Sequence, residues 1–202
     1  MDKITTSLTS TNEIRAYYTD DFIRLYQAFS DEIAESALEN KTFVSPPFSM
    51  SRMTWIKPSF LWMMYRSGWA KKDSRQKRIL AIDISHTGFR EILKSGVLSS
   101  HGESLHNSLD SWRTDIKKSD VIIQWDPERD LYLNRLNYRT IQIGLRNQAV
   151  EDYCKKWITN ISDVTSLVEK IKGCIDAGDI HLAISLLPQE RPYKIQAGNR
   201  LK

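Results

Sequence analysis

Cysteine is scarce: the chain carries two, Cys154 and Cys174, too few for a disulfide framework, and both are expected to be reduced thiols. Its four histidines (His86, His101, His106, His181) lack helical i, i+4 pairing and no CxxC accompanies them, so no metal site is expected. No GxGxxG and no GxxxxGK[ST] occurs, which argues against a Rossmann domain or a P-loop NTPase. The absence of GxSxG removes the usual nucleophile elbow of serine hydrolases. The longest apolar run, Phe60-Leu61-Trp62-Met63-Met64-Tyr65, is far short of a membrane span, and the Thr/Ser-rich start has no apolar signal segment. These absences point to a soluble cytoplasmic protein with no membrane partner.

What is present is an ordinary globular composition, 41% hydrophobic and 27% charged over 202 residues, enough for one core. The net charge of +4 hides a gradient. Residues 1–40 are net −5, residues 41–100 carry eleven bases against three acids, and the remainder is nearly balanced. A positive field concentrated in one stretch favours a nucleotide, another small anionic ligand or nucleic acid.

Periodicity and turn residues predict strands at 22–28, 78–84, 121–125 and 140–145, with helices at 30–40, 58–67, 87–95, 147–157, 166–177 and 180–187. Residues 99–119 read as a polar loop, Asp126-Pro127-Glu128-Arg129 as a turn, and 189–202 as irregular. The expected architecture is α+β: a single domain over 13–195, built on a twisted antiparallel or mixed sheet with flanking helices, between flexible tails at 1–12 and 196–202.

Three features carry candidate chemistry. In residues 53–69 three tryptophans, Phe60 and Tyr65 are interleaved with Lys57 and Arg66, aromatic faces for stacking beside cations for phosphate. The apolar middle reads as core, whereas Tyr65-Arg66-Ser67-Gly68-Trp69 emerges at a helix end. The stretch Gln124 to Asp130 gathers three acids and Arg129 after a strand, and its plain alternative is a charged turn with an Asp126–Arg129 ion pair. Gln142 and Gln27 each interrupt a strand on the face opposite their apolar neighbours, toward a cleft or toward solvent. Cys154 reads as packing rather than as a nucleophile.

The runs MTWIKPSFLWMMYRSGW (53–69), QWDPERD (124–130), IQIGL (141–145) and LLP-ERPY (186–193), with Arg15, Tyr17 and Tyr26-Gln27-Ala28, closely resemble a domain-of-unknown-function family found in bacteria and fungi. More remotely, Leu25 to Ser30 and the helix after it resemble the opening of ADP-ribosyltransferase-like domains, although no His follows Tyr26 and no Glu-x-Glu or Gln-x-Glu occurs. That second resemblance implies a metal-free transferase using NAD to modify a protein or nucleic-acid acceptor. It implies catalytic roles for Gln27 and for Glu128 or Gln142, and NAD contacts from Arg15, Tyr26, Tyr65, Arg66, Ser67, Trp69 and Arg129. The non-catalytic alternative is a nucleotide- or RNA-binding module with a basic, aromatic cleft. Gln27, Arg66, Ser67, Trp69, Glu128 and Arg129 are expected to converge on one pocket.

Overall fold

The computed structural model describes residues 11–104 and 108–194. It is a mixed α/β domain built on two larger sheets and a short clasp. In the first sheet β4 (Arg78–Ser85) lies between β2 (Phe22–Phe29), which leads into α1 (Asp31–Asn40), and β8 (Ile158–Asp163), antiparallel to both. The Arg-Ile-Leu-Ala-Ile-Asp-Ile sequence of β4 is apolar on both faces because both are covered. Leu80, Ile82 and Ile84 join one core with Ile23 and Leu25. Ile79 and Ala81 join a second core beneath α2 (Phe60–Ser67), α6 (Thr165–Asp176) and α7 (Ile180–Leu186). Asp83, the polar residue of this strand, is buried opposite Arg24, whose Nε and Nη2 donate to its two carboxylate oxygens at 2.7 and 2.9 Å.

The second sheet runs β3 (Thr54–Ile56), β7 (Arg135–Leu145), β6 (Val121–Arg129), β5 (Val97–Leu98), antiparallel except for the β5–β6 pair. Its inner face shares the first core with α3 (His86–Ser95). Trp55 of β3 pairs with Gly144 of β7, and a Cβ there would meet Met53 Sδ at 2.6 Å, so glycine allows the two strands and their large side chains to close up. The clasp pairs β1 (Arg15–Ala16) with β9 (Arg191–Pro192). No helix among the described residues is long and apolar enough to cross a membrane.

Four expectations are corrected. Residues 99–119 hold a helix, α4 (Leu109–Lys118), which buries none of its residues fully and offers only the half-buried Trp112 and Ile116 as an apolar face; it is anchored where Trp112 Nε1 donates to the Leu98 carbonyl at 2.8 Å. Asp126 to Arg129 is not a turn but the end of β6, where a bulge between Pro127 and Arg129 absorbs the proline. The helix expected at 147–157 is α5 (Gln148–Asp152) followed by one π turn (Tyr153–Trp157), and the strand β8 follows it directly. Arg191 and Pro192, expected to be irregular, form β9. Of the expected tails, Asn12 bridges to Arg139, and 1–10 and 195–202 lie outside the described residues.

Candidate functional site

Tyr26 links the two sheets by donating its amide to the carbonyl of Lys57 at 2.7 Å, just past β3. Beyond this bridge β2 and β3 diverge, and the gap is a cleft of about 720 Å³, within the range of small-molecule sites. Gln27, Trp55, Lys57 and Gln142 form part of its wall. Gln27 is a strut: its Nε2 donates to Thr54 Oγ1 at 2.7 Å and to the Trp55 carbonyl at 3.2 Å, and its Oε1 accepts from Tyr153 Oη at 2.8 Å. Gln142 donates to Asp126 Oδ2 at 2.7 Å, while Gln124 donates to Oδ1 at 3.0 Å, so Asp126 is engaged by two amides rather than by Arg129.

The charge around the cleft is one-sided. Arg52 and Arg66 are exposed at its rim, and among the described residues neither makes an ion pair. Arg75 and Asp73 neutralise each other at 2.7 Å. Lys57 is 5% exposed, and its Nζ donates to the Trp55 carbonyl at 3.1 Å and lies 5.6 Å from the Trp62 ring. Burial, reinforced by the nearby Arg66 charge, pulls its amine down to about 7; Asp126 opposes this more weakly.

A second polar group sits at the N-terminus of α2. Ser59 caps the helix by accepting from the Trp62 amide at 3.1 Å, and donates its hydroxyl to Glu128 Oε1 at 2.9 Å. Glu128 also accepts from the Arg129 amide at 2.8 Å. Glu190, from the segment leading to β9, accepts from the Phe60 amide at 2.7 Å. Burial raises the Glu128 carboxyl despite these donors, and raises Glu190 further, the Glu128 charge adding to the effect. Arg15 donates to the Glu190 carbonyl at 3.1 Å and pairs with Glu13. Tyr26 Oη and Arg129 Nε are buried nearby without a hydrogen-bond partner among the described residues.

The expected single pocket therefore divides. Gln27, Arg66 and Gln142 line the cleft; Arg15, Tyr26, Ser67, Trp69, Glu128 and Arg129 are not part of its lining. Tyr65 is exposed and carries the Arg129 guanidinium 3.6 Å from its ring centroid. Ser67 turns inward to donate to the Met63 carbonyl at 3.0 Å, and Trp69 is buried in the second core. Gly68, Trp69 and Ala70 all have positive φ (57°, 57° and 64°), a left-handed turn that directs this part of the run away from the cleft. Cys154 is buried and its thiol is pushed up to about 12, as suits packing. Sequence reasoning places Lys57 among the cations of the aromatic run but does not single it out, and it misses Arg52, Arg75 and Glu190. The one local signal is Pro58, which keeps the Lys57 backbone extended at a sheet edge.

Among the described residues no cluster of three or more His, Cys, Asp or Glu side chains is placed to hold a metal. A search of the curated proteins finds no match to the chain. Residues 13–193 match the family model described as Domain of unknown function (DUF4291), and the chain, carrying the aromatic run, the β6 end and the Glu190 segment within that span, belongs to that family.

Proposed function

We propose that the chain binds a nucleotide through its phosphates in the cleft between β2 and β3, with NAD as the first candidate. The observation that carries this reading is the charge balance at the cleft rim: among the described residues neither Arg52 nor Arg66 makes an ion pair, and Asp73 is already taken by Arg75. Guanidinium groups suit bidentate phosphate contacts, and the half-buried Trp55 offers an aromatic face to a base.

ADP-ribosyl transfer to a protein or nucleic-acid acceptor asks for one thing more, a group able to stabilise positive charge developing on the ribose. Gln142, backed by Asp126, is the candidate within the cleft. Glu128 is engaged at the α2 N-terminus instead. The plain binding module remains the second reading, favoured by the rim position of Arg52 and Arg66, where a longer polyanion has access.

Calorimetric titration with NAD, ADP-ribose, ADP and a short single-stranded RNA separates these readings, joined to an assay of NAD consumption with cell lysate as acceptor. Saturable NAD binding that Arg66→Ala weakens supports the nucleotide cleft. RNA binding without nucleotide binding favours the module, and no binding of any of the four removes both.

A further inference from the structure

Lys57 stands apart from the other cations of the cleft. A phosphate-binding lysine normally reaches its ligand from an exposed position on a flexible stem. Lys57 instead is enclosed, its backbone is fixed by the Tyr26 amide, and its amine is held against the Trp55 carbonyl on the cleft wall. Burial, and then the Arg66 charge beside it, disfavour the charged amine and pull it down to about 7. A neutral, fixed amine is a nucleophile rather than a counter-ion.

We propose that the Lys57 amine is the reactive group of the cleft, condensing with the aldehyde carbon of a phosphate-bearing ligand. This rests on the reading of the cleft as a phosphate-binding site. An open-chain reducing sugar of the ADP-ribose type is the form of such a ligand compatible with a nucleotide cleft. In the condensation the amine nitrogen bonds to the carbonyl carbon, the carbon–oxygen bond breaks, and the oxygen departs as water with both amine hydrogens. The resulting imine carries positive charge once protonated, and Asp126, whose charge already acts on Lys57, is placed to offset it. The step needs no oxidant, reductant or metal.

The test uses pyridoxal 5′-phosphate as a phosphorylated aldehyde probe, pyridoxal as its phosphate-free counterpart, and ADP-ribose, each trapped with cyanoborohydride and mapped by peptide mass spectrometry. The expected result is labelling of Lys57 by pyridoxal 5′-phosphate at least about tenfold faster than any other lysine. Its rate should be half-maximal near pH 7, whereas exposed lysines continue to gain reactivity toward pH 10. Added ADP should protect Lys57, and Lys57→Met, verified as folded by circular dichroism, should abolish the fast phase. ADP-ribose should mark the same residue more slowly. Equal labelling of Lys57 by pyridoxal and its phosphate, without protection by ADP, would overturn the phosphate-bearing ligand and the cleft reading with it. Calorimetric binding of ADP or NAD with labelling spread over surface lysines would overturn the Lys57 proposal and leave the cleft reading standing.

Discussion

The amide of Tyr26 and the carbonyl of Lys57, 2.7 Å apart, join the two sheets at the inner end of the cleft. The bond is main chain to main chain, so it survives any substitution of the Lys57 side chain. The amine of Lys57 is thereby separable from the scaffold that holds it, and its energetics can be measured without releasing the strand.

Lys57→Met is expected to stabilise the fold at neutral pH. The native amine sits near 7 and the unfolded one near 10.4, so between these values the unfolded chain holds the extra proton and stability rises with pH. The cost of burying this lysine is therefore greatest at and below pH 7, on the order of 4 kcal/mol, and vanishes above the unfolded value. Methionine has a similar shape and no charge. Its melting temperature should exceed that of the parent by several degrees at pH 6.5, and the gap should close toward pH 10. A gap that widens as pH rises would place the charged amine among the stabilising groups.

Glu190→Gln should flatten the pH dependence of stability on the acid side. Both Glu128 and Glu190 hold their protons more tightly in the fold than in the unfolded chain. Their contribution is then fully present below the ordinary carboxylate range and is lost as pH rises through the raised native values. Glutamine keeps an oxygen for the Phe60 amide and removes one of two neighbouring charges. Denaturant unfolding from pH 4 to pH 8 is the measurement. A steeper loss of stability in the variant than in the parent would contradict the assignment.

Trp62→Ala tests the buried middle of α2. Trp62 is 5% exposed, so truncation should cost roughly 3–5 kcal/mol, the usual range for a large core aromatic. Urea unfolding would reveal it; a loss under about 1 kcal/mol would mean that the ring contributes little to packing.

The parts of the molecule legible in the sequence are those whose burial is regular. β2 and β4 show because their apolar runs meet a core, and α2 shows because Ser59 and Gly68 mark its ends and apolar residues fill it. Gln27 and Gln142 stand out by breaking apolar alternation, and both reach the cleft. What was hidden had little apolar content. α4 buries none of its residues fully and rests on the half-buried Trp112 and Ile116 alone, and Thr159 and Asn160 of β8 are exposed, so neither element carries a long apolar pattern. Pro127 imitates a turn because a proline inside a strand requires a bulge, and a bulge depends on the partner strand. Glu190 meets the Phe60 amide across 130 positions, a contact that no local pattern encodes.

The last prediction separates two carboxamide or carboxylate side chains that the sequence makes look equivalent, Glu128 and Gln142. Glu128→Gln should leave NAD affinity and NAD turnover close to those of the parent chain, because Glu128 does not line the cleft and its oxygen is committed to Ser59 and to the Arg129 amide. Gln142→Leu should act in the cleft. It removes the amide that holds Asp126 and leaves that carboxylate with one donor, Gln124, in place of two. If the chain transfers ADP-ribose, groups that oppose the charge of the ribosyl cation matter more in the transition state than in the bound state. Gln142→Leu should then lower turnover by about tenfold or more while changing NAD affinity far less. Arg66→Ala should show the reverse pattern, weakening NAD binding by roughly ten- to a hundredfold through loss of a charged phosphate contact. Calorimetric titration and NAD consumption, run side by side on the three variants, read both quantities. Abolished turnover in Glu128→Gln with a normal melting temperature would return the catalytic role to the α2 N-terminus, and the cleft would then hold only the distal part of the nucleotide.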